Sequence, residues 1–224
     1  VRAVADDANS RFAGWSGDLQ TVADPFAAET TIGLYEDFSI QANFVVAESV
    51  SVPWRLQPGF NLVALPHDPT VPNLAERLDE IGPAPVIERV QALDAATGQF
   101  VELIPGADNP AFPLLGGEAL VVHATEAVHD TRTSLGCPAW QLRAGVNMVG
   151  SLCAPAGTTA YSLLVDLGGT DTVASLSGFD PASGRFRTAA FSDDGAPTGG
   201  DFPIVNGSGY LLFMRTDLPA FRAW

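Results

Sequence analysis

A stretch that occurs twice governs what this chain can become. Residues 54–65 carry Trp54, Leu56, Gly59, Asn61 and Val63, and 86 positions later Trp140, Leu142, Gly145, Asn147 and Val149 stand in the same register. At that offset the turn residues Asp94, Thr97, Gly98 and Phe100 return as Asp180, Ser183, Gly184 and Phe186. Two separate motifs with one offset identify a duplicated unit, and such self-similarity has to be found before a fold is assigned. The repeated residues are turn formers and core hydrophobics, so the duplication speaks to architecture and names neither ligand nor reaction.

Both copies carry the same order of signals. In the first, Trp54 and Leu56, a Pro58-Gly59 turn, then Phe60, Leu62, Val63 and Leu65 predict a β-hairpin with one face buried. Asn73 caps a short helix with Glu76 at its third position, Leu74, Leu78 and Ile81 form its apolar stripe, and Gly82-Pro83 ends it. The second copy keeps the plan with other letters: Thr159 as cap, Ala160, Leu164 and Leu167 as stripe, Gly168-Gly169 as stop. Strands over 86–93 and 173–179 then enter the repeated turn. There Asp94 and Asp180 are expected to accept from the turn's own backbone while Gly98 and Gly184 take a positive φ, giving a hairpin with a bulged turn. Each copy closes on Phe112-Pro113 or Phe202-Pro203, a pair of glycines and a strand. The offset has grown to 90 by then, and the extra residues, around 192–200, read as an enlarged surface loop.

With 224 residues, 46% of them hydrophobic, the chain can bury one large core or two modest ones without a cofactor. A net charge of −15 repels phosphate backbones and anionic headgroups, which excludes nucleic acid and membrane surfaces as partners and leaves calcium or cationic surfaces open. All 11 basic residues are arginine, so Schiff-base and phosphate-loop lysines are excluded, as is a Lys-Asn isopeptide crosslink. No apolar run approaches the roughly 20 residues that span a bilayer, so no membrane insertion is expected. The opening Val1-Arg2-Ala3-Val4-Ala5 reads as mid-strand, which leads us to expect a piece of a longer precursor with its targeting sequence upstream.

Cys137 and Cys153 flank the second copy of the organising stretch, with Gly145 at their midpoint. Across an antiparallel pair they can approach disulfide distance, and two free buried thiols are the alternative. Oxidised, the bridge closes a loop of about 15 residues, worth about 3 kcal/mol in the chain-entropy model, and favours an extracytoplasmic home. Ser51 and His67 occupy the matching positions of the first copy, so the bridge is an addition to the unit.

Residues 1–47 form a separate block, with short strands expected over 12–19, 30–34 and 37–44. Phe12, Gly14, Trp15, Gly17, Asp18, Pro25, Thr31, Ile32, Ser39, Ala42 and Phe44 fall in an order that resembles the closing half of bacterial surface repeats of the internalin B-repeat type. The resemblance implies a small β module acting as spacer or adhesive element, without an active site, whose missing first strands leave a sheet edge bare. A protein partner or a second copy joining through these N-terminal edge strands follows as an expectation. Trp15 is read as a core anchor against the alternative of a sugar-stacking platform. The repeated run through Leu56, Gly59 and Asn61, then the helix, the Asp94 turn and the Gly117 strand, is similar to a domain appended to many secreted bacterial proteins, over roughly residues 50–217. That implies an extracellular or cell-surface location and an accessory role.

Catalytic motifs are not found: no Gly-x-Ser-x-Gly elbow, no His-Glu-x-x-His, no Cys-x-x-Cys and no phosphate loop. His67, His123 and His129 share no ligand spacing, and His67-Asp68 or His129-Asp130 lack an activating partner motif. Asp6-Asp7 and Asp193-Asp194 can offer carboxylates to calcium but supply too few ligands in one loop for an EF-hand. We therefore expect no catalytic residue, no metal and no cofactor. The fold expected is mainly β with two short helices: a truncated β module over 1–47, then homologous hairpin-helix-hairpin units over 48–131 and 132–224. Their relation is left open between pseudo-twofold and translational. The function expected is a structural or adhesive segment of a secreted or cell-surface bacterial protein. The alternative is a carbohydrate-binding accessory domain that would take a polysaccharide on Trp54, Trp140 and Tyr210, provided those rings are exposed.

Overall fold

The computed structural model describes residues 1–4, 10–35, 37–46, 49–95, 97–181, 183–192 and 194–221. The chain is mainly β with two short helices, and it divides into two compact units, Val1–Ser49 and Val50–Trp224. Asp6, Asp7 and Asp193, considered above for calcium, lie outside the described residues.

The first unit is built on one antiparallel pair, β1 (Ser10–Gly17) with β2 (Ile40–Val46), interrupted by a register shift between Phe12 and Gly14. The strand expected over 30–34 reduces to a single bridge, Val22 to Ile32. Asp24 folds the chain there instead, its Oδ1 accepting from the Phe26 and Ala27 N–H groups and its own N–H donating to Thr30 Oγ1. Trp15 donates its indole N–H to Ala27 O at 2.9 Å and packs on Phe12. Among the described residues of this unit no hydrophobic side chain is buried, while Phe26, Leu34 and Tyr35 are exposed. Two-stranded sheets of this kind are marginal alone.

The first copy of the second unit comprises β3 (Ser49–Leu56), β4 (Gly59–Ala64), a 3-10 turn Leu74–Arg77 leading into α1 (Leu78–Ile81), β5 (Ile87–Asp94), β6 (Gln99–Leu103), β7 (Ala119–Ala124) and β8 (Val128–Leu135). The second comprises β9 (Trp140–Leu142), β10 (Gly145–Gly150), α2 (Ala160–Asp166), β11 (Val173–Asp180), β12 (Arg185–Phe191), β13 (Pro197–Gly199), β14 (Gly209–Met214) and β15 (Leu218–Phe221). Sheet orders correspond: β4-β7-β5-β6 against β10-β14-β11-β12, with ribbons β3-β8 against β9-β15. Even the register shifts repeat, between Ile87 and Arg89 and between Val173 and Ser175. In each copy the sheet, the ribbon and the helix enclose one core, around Trp54, Leu74 and Leu120 in the first and Trp140, Leu163 and Leu212 in the second. Strand β8 runs through the junction expected at residues 131/132, because it closes the ribbon with β3.

The first hairpin of each unit is not one. Strand β3 pairs with β8 and β4 with β7, so Pro58-Gly59 turns a corner between two sheets. The repeated asparagine makes the corner. The Gln57 N–H donates to Asn61 Oδ1 at 2.8 Å, and Asn61 Nδ2 donates to Gln57 O at 2.7 Å, Gly59 O at 3.0 Å and Val122 O at 3.3 Å. Asn147 repeats this with Arg143 N–H and O at 3.0 and 2.7 Å and Gly145 O at 3.2 Å. Both carboxamides are buried; they satisfy backbone groups that a strand partner would otherwise take.

The second hairpin forms as expected, with β5 antiparallel to β6 and β11 to β12. Its register is unbroken up to Asp94↔Gln99 and Asp180↔Arg185, so the ladder entering the turn carries no bulge. An i→i+4 bond from Gly98 N–H to Asp94 O closes it at 2.7 Å, and Gly184 to Asp180 repeats it at 2.9 Å, with both glycines at φ 65–69°. The carboxylates accept from the Thr97 and Ser183 hydroxyls. Thr159 caps α2 with a full capping box to Ser162, whereas Asn73 caps the 3-10 turn and also accepts from the Phe112 N–H. Of the extra residues of the second copy, Pro197–Gly199 form β13, paired on β12, while the Ser192 N–H to Ala196 O and Gly195 N–H to Ser192 O bonds close a turn before it.

The copies are related by a pseudo-twofold axis. Val63 bridges Ser208 while the equivalents exchanged, Val149 and Glu118, also bridge. Ala64 N–H donates to Gly207 O at 3.0 Å, and Gly150 N–H to Gly117 O at 2.8 Å. Reciprocal pairs of this kind are the signature of an isologous contact. Corresponding residues meet at the axis: a Cβ on Gly150 would lie 2.6 Å from that of Ala64, and one on Gly209 2.7 Å from that of Ala119. Leu62, Val121 and Ala119 with Met148, Leu211 and Phe179 form the shared apolar layer.

Candidate functional site

The three rings expected to face a ligand are core side chains. Trp54, Trp140 and Tyr210 are 1%, 4% and 3% exposed. Alternation explains it: Trp54 and Leu56, like Trp140 and Leu142, stand two apart on a strand and share the inward face. Trp140 donates its indole N–H to Gly150 O at 3.2 Å, Tyr210 accepts from the Val205 N–H at 2.7 Å, and the Arg132 guanidinium lies 4.4 Å above the Trp54 ring. Burial raises the Tyr210 hydroxyl above its ordinary pKa.

The disulfide is present, Cys137 to Cys153 with Cα atoms 5.9 Å apart. It joins the segments just outside β9 and β10, which belong to different sheets, and so locks the corner that Asn147 holds at its other end.

His67, His123 and His129 do not converge. His123 lies edge-on to Phe60, and burial lowers its pKa. Near His67 a cavity of about 150 Å³ takes in Asp68, Arg77 and Glu118. Arg77 is buried and donates to Glu80 at 2.9 Å. Burial works to raise Asp68, but hydrogen bonds from the Thr70 hydroxyl and N–H outweigh it and hold the carboxyl low. For Glu118 burial wins: its pKa is raised although the Leu115 and Gly116 N–H groups donate to it. Asp194 binds Ser192 and the Ala196 N–H within its own turn. Among the described residues no group of three or more His, Cys, Asp or Glu is placed to hold a metal, and no helix is long and apolar enough to cross a membrane.

What the sequence did not suggest is a pair of clefts between the copies, exchanged by the pseudo-twofold. One measures about 870 Å³, with Leu93, Leu115, Leu142 and Met148 among its walls. Its polar side chains include Asp94, Glu118, Gln141, Arg143, Asn147 and Asp217. The other, lined by Arg55, Leu62, Phe179, Val205 and Asn206, measures about 340 Å³. The difference follows from the side chains: Phe179 stands where the first copy has Leu93, and Asn206, bonded to Ser151 and Ala154, where it has Gly116.

The wide cleft contains a strand edge. Strand β10 pairs with β14 on one side only. Its Gly150 N–H points the other way, to Gly117 O. Backbone groups of alternate residues in an antiparallel strand face the same side, so Val146 and Met148 also direct theirs away from β14. Glu118, bridged to Val149, covers the end of this edge, and among the described residues no strand pairs with Gly145–Met148. Around the mouth Asp217 accepts from the Ala144 N–H and Gln141 from the Ala220 N–H, and Arg143 has no ion pair among the described residues. The substitution of Leu93 for Phe179 at corresponding positions was the one sequence signal of an open cleft. Compared with protein-family models, curated proteins and solved structures, the chain matches none of them.

Proposed function

We propose that the chain is a structural or adhesive, non-catalytic segment of a secreted or cell-surface bacterial protein. The observation that carries this reading is the use to which the shared polar residues are put. Asn61 and Asn147 clamp corners, Asp94 and Asp180 close turns, Asn73 and Thr159 cap helices. What both copies keep therefore serves the scaffold. The disulfide supports an oxidising compartment, and the resemblance to internalin-type surface repeats supports the surface location. The adhesive part of the reading rests on the first unit, whose two strands pair with no further strand among the described residues and whose Phe26, Leu34, Tyr35 and Phe44 are exposed. A protein partner or a second copy adding a strand there would supply the missing core. The polysaccharide alternative is not retained, because its ring platforms are buried.

The test is alkylation trapping combined with protease shaving of intact source cells. An oxidised Cys137–Cys153 pair on a shaved, surface-exposed chain is the expected result; a reduced pool protected inside the cell refutes the location. Light scattering of the purified chain at high concentration checks self-association, and a strict monomer rules out the second copy as the partner of the N-terminal strands.

A further inference from the structure

We propose that the 870 Å³ cleft binds an extended peptide segment, basic and apolar at alternate positions, that adds as a strand to the free edge of β10. This deepens the adhesive reading above and rests on it only for biological purpose, since the binding itself is a property of the purified chain.

Pairing on this edge has already begun inside the molecule. Gly117 and Glu118 of the first copy lie against Gly150 and Val149 as a short piece of added strand, with the Gly150 N–H to Gly117 O bond at 2.8 Å. By alternation the N–H groups of Val146 and Met148 lie on the same side of β10 as that bond, away from β14, and Met148 lines the cleft. An incoming strand continues an established interface, and main-chain bonds along such a row supply affinity while side-chain pockets on alternate positions supply selectivity. The apolar walls, Leu93, Leu115 and Met148, suit aliphatic side chains on one face of that strand.

Charge selects the other face. Asp94, Glu118 and Asp217 outnumber Arg143 around the cleft, within a chain of net charge −15. A strand carrying lysine or arginine is favoured there and an acidic one opposed. The pseudo-equivalent cleft is an internal control: the edge of β4 is arranged identically about the axis, but Phe179 and Asn206 reduce the space to 340 Å³. One site per chain is therefore expected.

The experiment titrates the isotopically labelled full chain with a capped hexapeptide alternating lysine and valine, followed by amide chemical shifts and hydrogen exchange. Shifts confined to Gly145–Val149, Glu118 and the Asp94 turn, with slowed exchange at Val146 and Met148, are expected at millimolar peptide. Leu93→Phe copies the side chain of the closed cleft and weakens binding at least about ten-fold. Val146→Pro, at an exposed position whose N–H faces away from β14, removes one edge donor without touching the β10–β14 ladder and serves where Leu93→Phe fails to fold. A hexapeptide alternating glutamate and valine binds at least about ten-fold more weakly than the basic one. No shift along β10, shifts centred on other strands, or equal binding of the acidic and basic peptides overturns the proposal.

Discussion

Replacing Asn61 by alanine tests the corner that gives each copy its shape. Asn61 makes four hydrogen bonds, to the Gln57 N–H and to the carbonyls of Gln57, Gly59 and Val122, at 2.7–3.3 Å. A hydrogen bond of this kind contributes about 1 kcal/mol net, and a buried group left without a partner costs about 1–3 kcal/mol. Gln57 and Gly59 lie at the accessible rim and regain water, while Val122 is fully buried. Asn61→Ala therefore costs about 2–4 kcal/mol. Asn147→Ala should cost less, about 1–3 kcal/mol, since its three bonds stay within the corner. Urea unfolding followed by tryptophan fluorescence reads both, with Trp54 and Trp140 each one strand from the lesion. Asn61→Asp sharpens the test: near neutral pH it sets a carboxylate against three carbonyl oxygens and should destabilise at least as much as alanine, recovering as the pH falls and the carboxyl protonates. If either alanine variant unfolds within about 0.5 kcal/mol of the parent, the asparagines do not hold the corners and the reading of the duplicated motif is wrong.

Three further outcomes follow from other parts of the fold. Reducing the Cys137–Cys153 bond, or replacing both cysteines by serine, should lower stability by about 3 kcal/mol in the loop-closure model; unchanged urea midpoints with and without reductant would count against it. Gly150→Ala places a methyl 2.6 Å from the Ala64 Cβ and 2.8 Å from the Glu118 carbonyl oxygen, and overpacking should cost about 1–3 kcal/mol by thermal melting, whereas Gly98→Ala meets open space and pays only for its positive φ. Glu118 binds its proton more readily folded than unfolded, because burial raises its pKa. Its ionisation thus works against the fold at neutral pH, and that cost disappears as pH falls through the raised value towards the unfolded carboxylate range. The stability of the parent relative to Glu118→Gln should rise over that fall; a difference constant from pH 7 to 4.5 would remove Glu118 from the account.

Much of the second unit was legible because its signals are local. The helix caps, the Asp94 and Asp180 turns and the strands that enter them depend on residues within a few positions of each other. The first corner was misread as a hairpin because Pro58-Gly59 serves either turn, and what decides is Asn61, a side chain acting on the backbone four residues away. The far side of the loop expected around 192–200, Pro197–Gly199, is β13 because pairing to β12 is a tertiary matter. Burial of Trp54, Trp140 and Tyr210 was within reach, since the Trp-x-Leu alternation puts ring and leucine on one face. The pseudo-twofold and its clefts were not, as they depend on meetings between residues of the two copies far apart in sequence, such as Val63 with Ser208; the small residues at Ala64, Gly150, Ala119 and Gly209, with Leu93 standing where the second copy has Phe179, were their traces.

The reciprocal seam about the axis also bears on what half of this unit would be. A polypeptide ending before Trp140 would turn Leu62, Ala119 and Val121 toward water, and the complement of that surface is another molecule of the same sequence. Fusion of the two halves in one chain makes their meeting intramolecular, so it no longer depends on concentration. It also frees each half to diverge, which is how one crevice can stay open while its twin is filled.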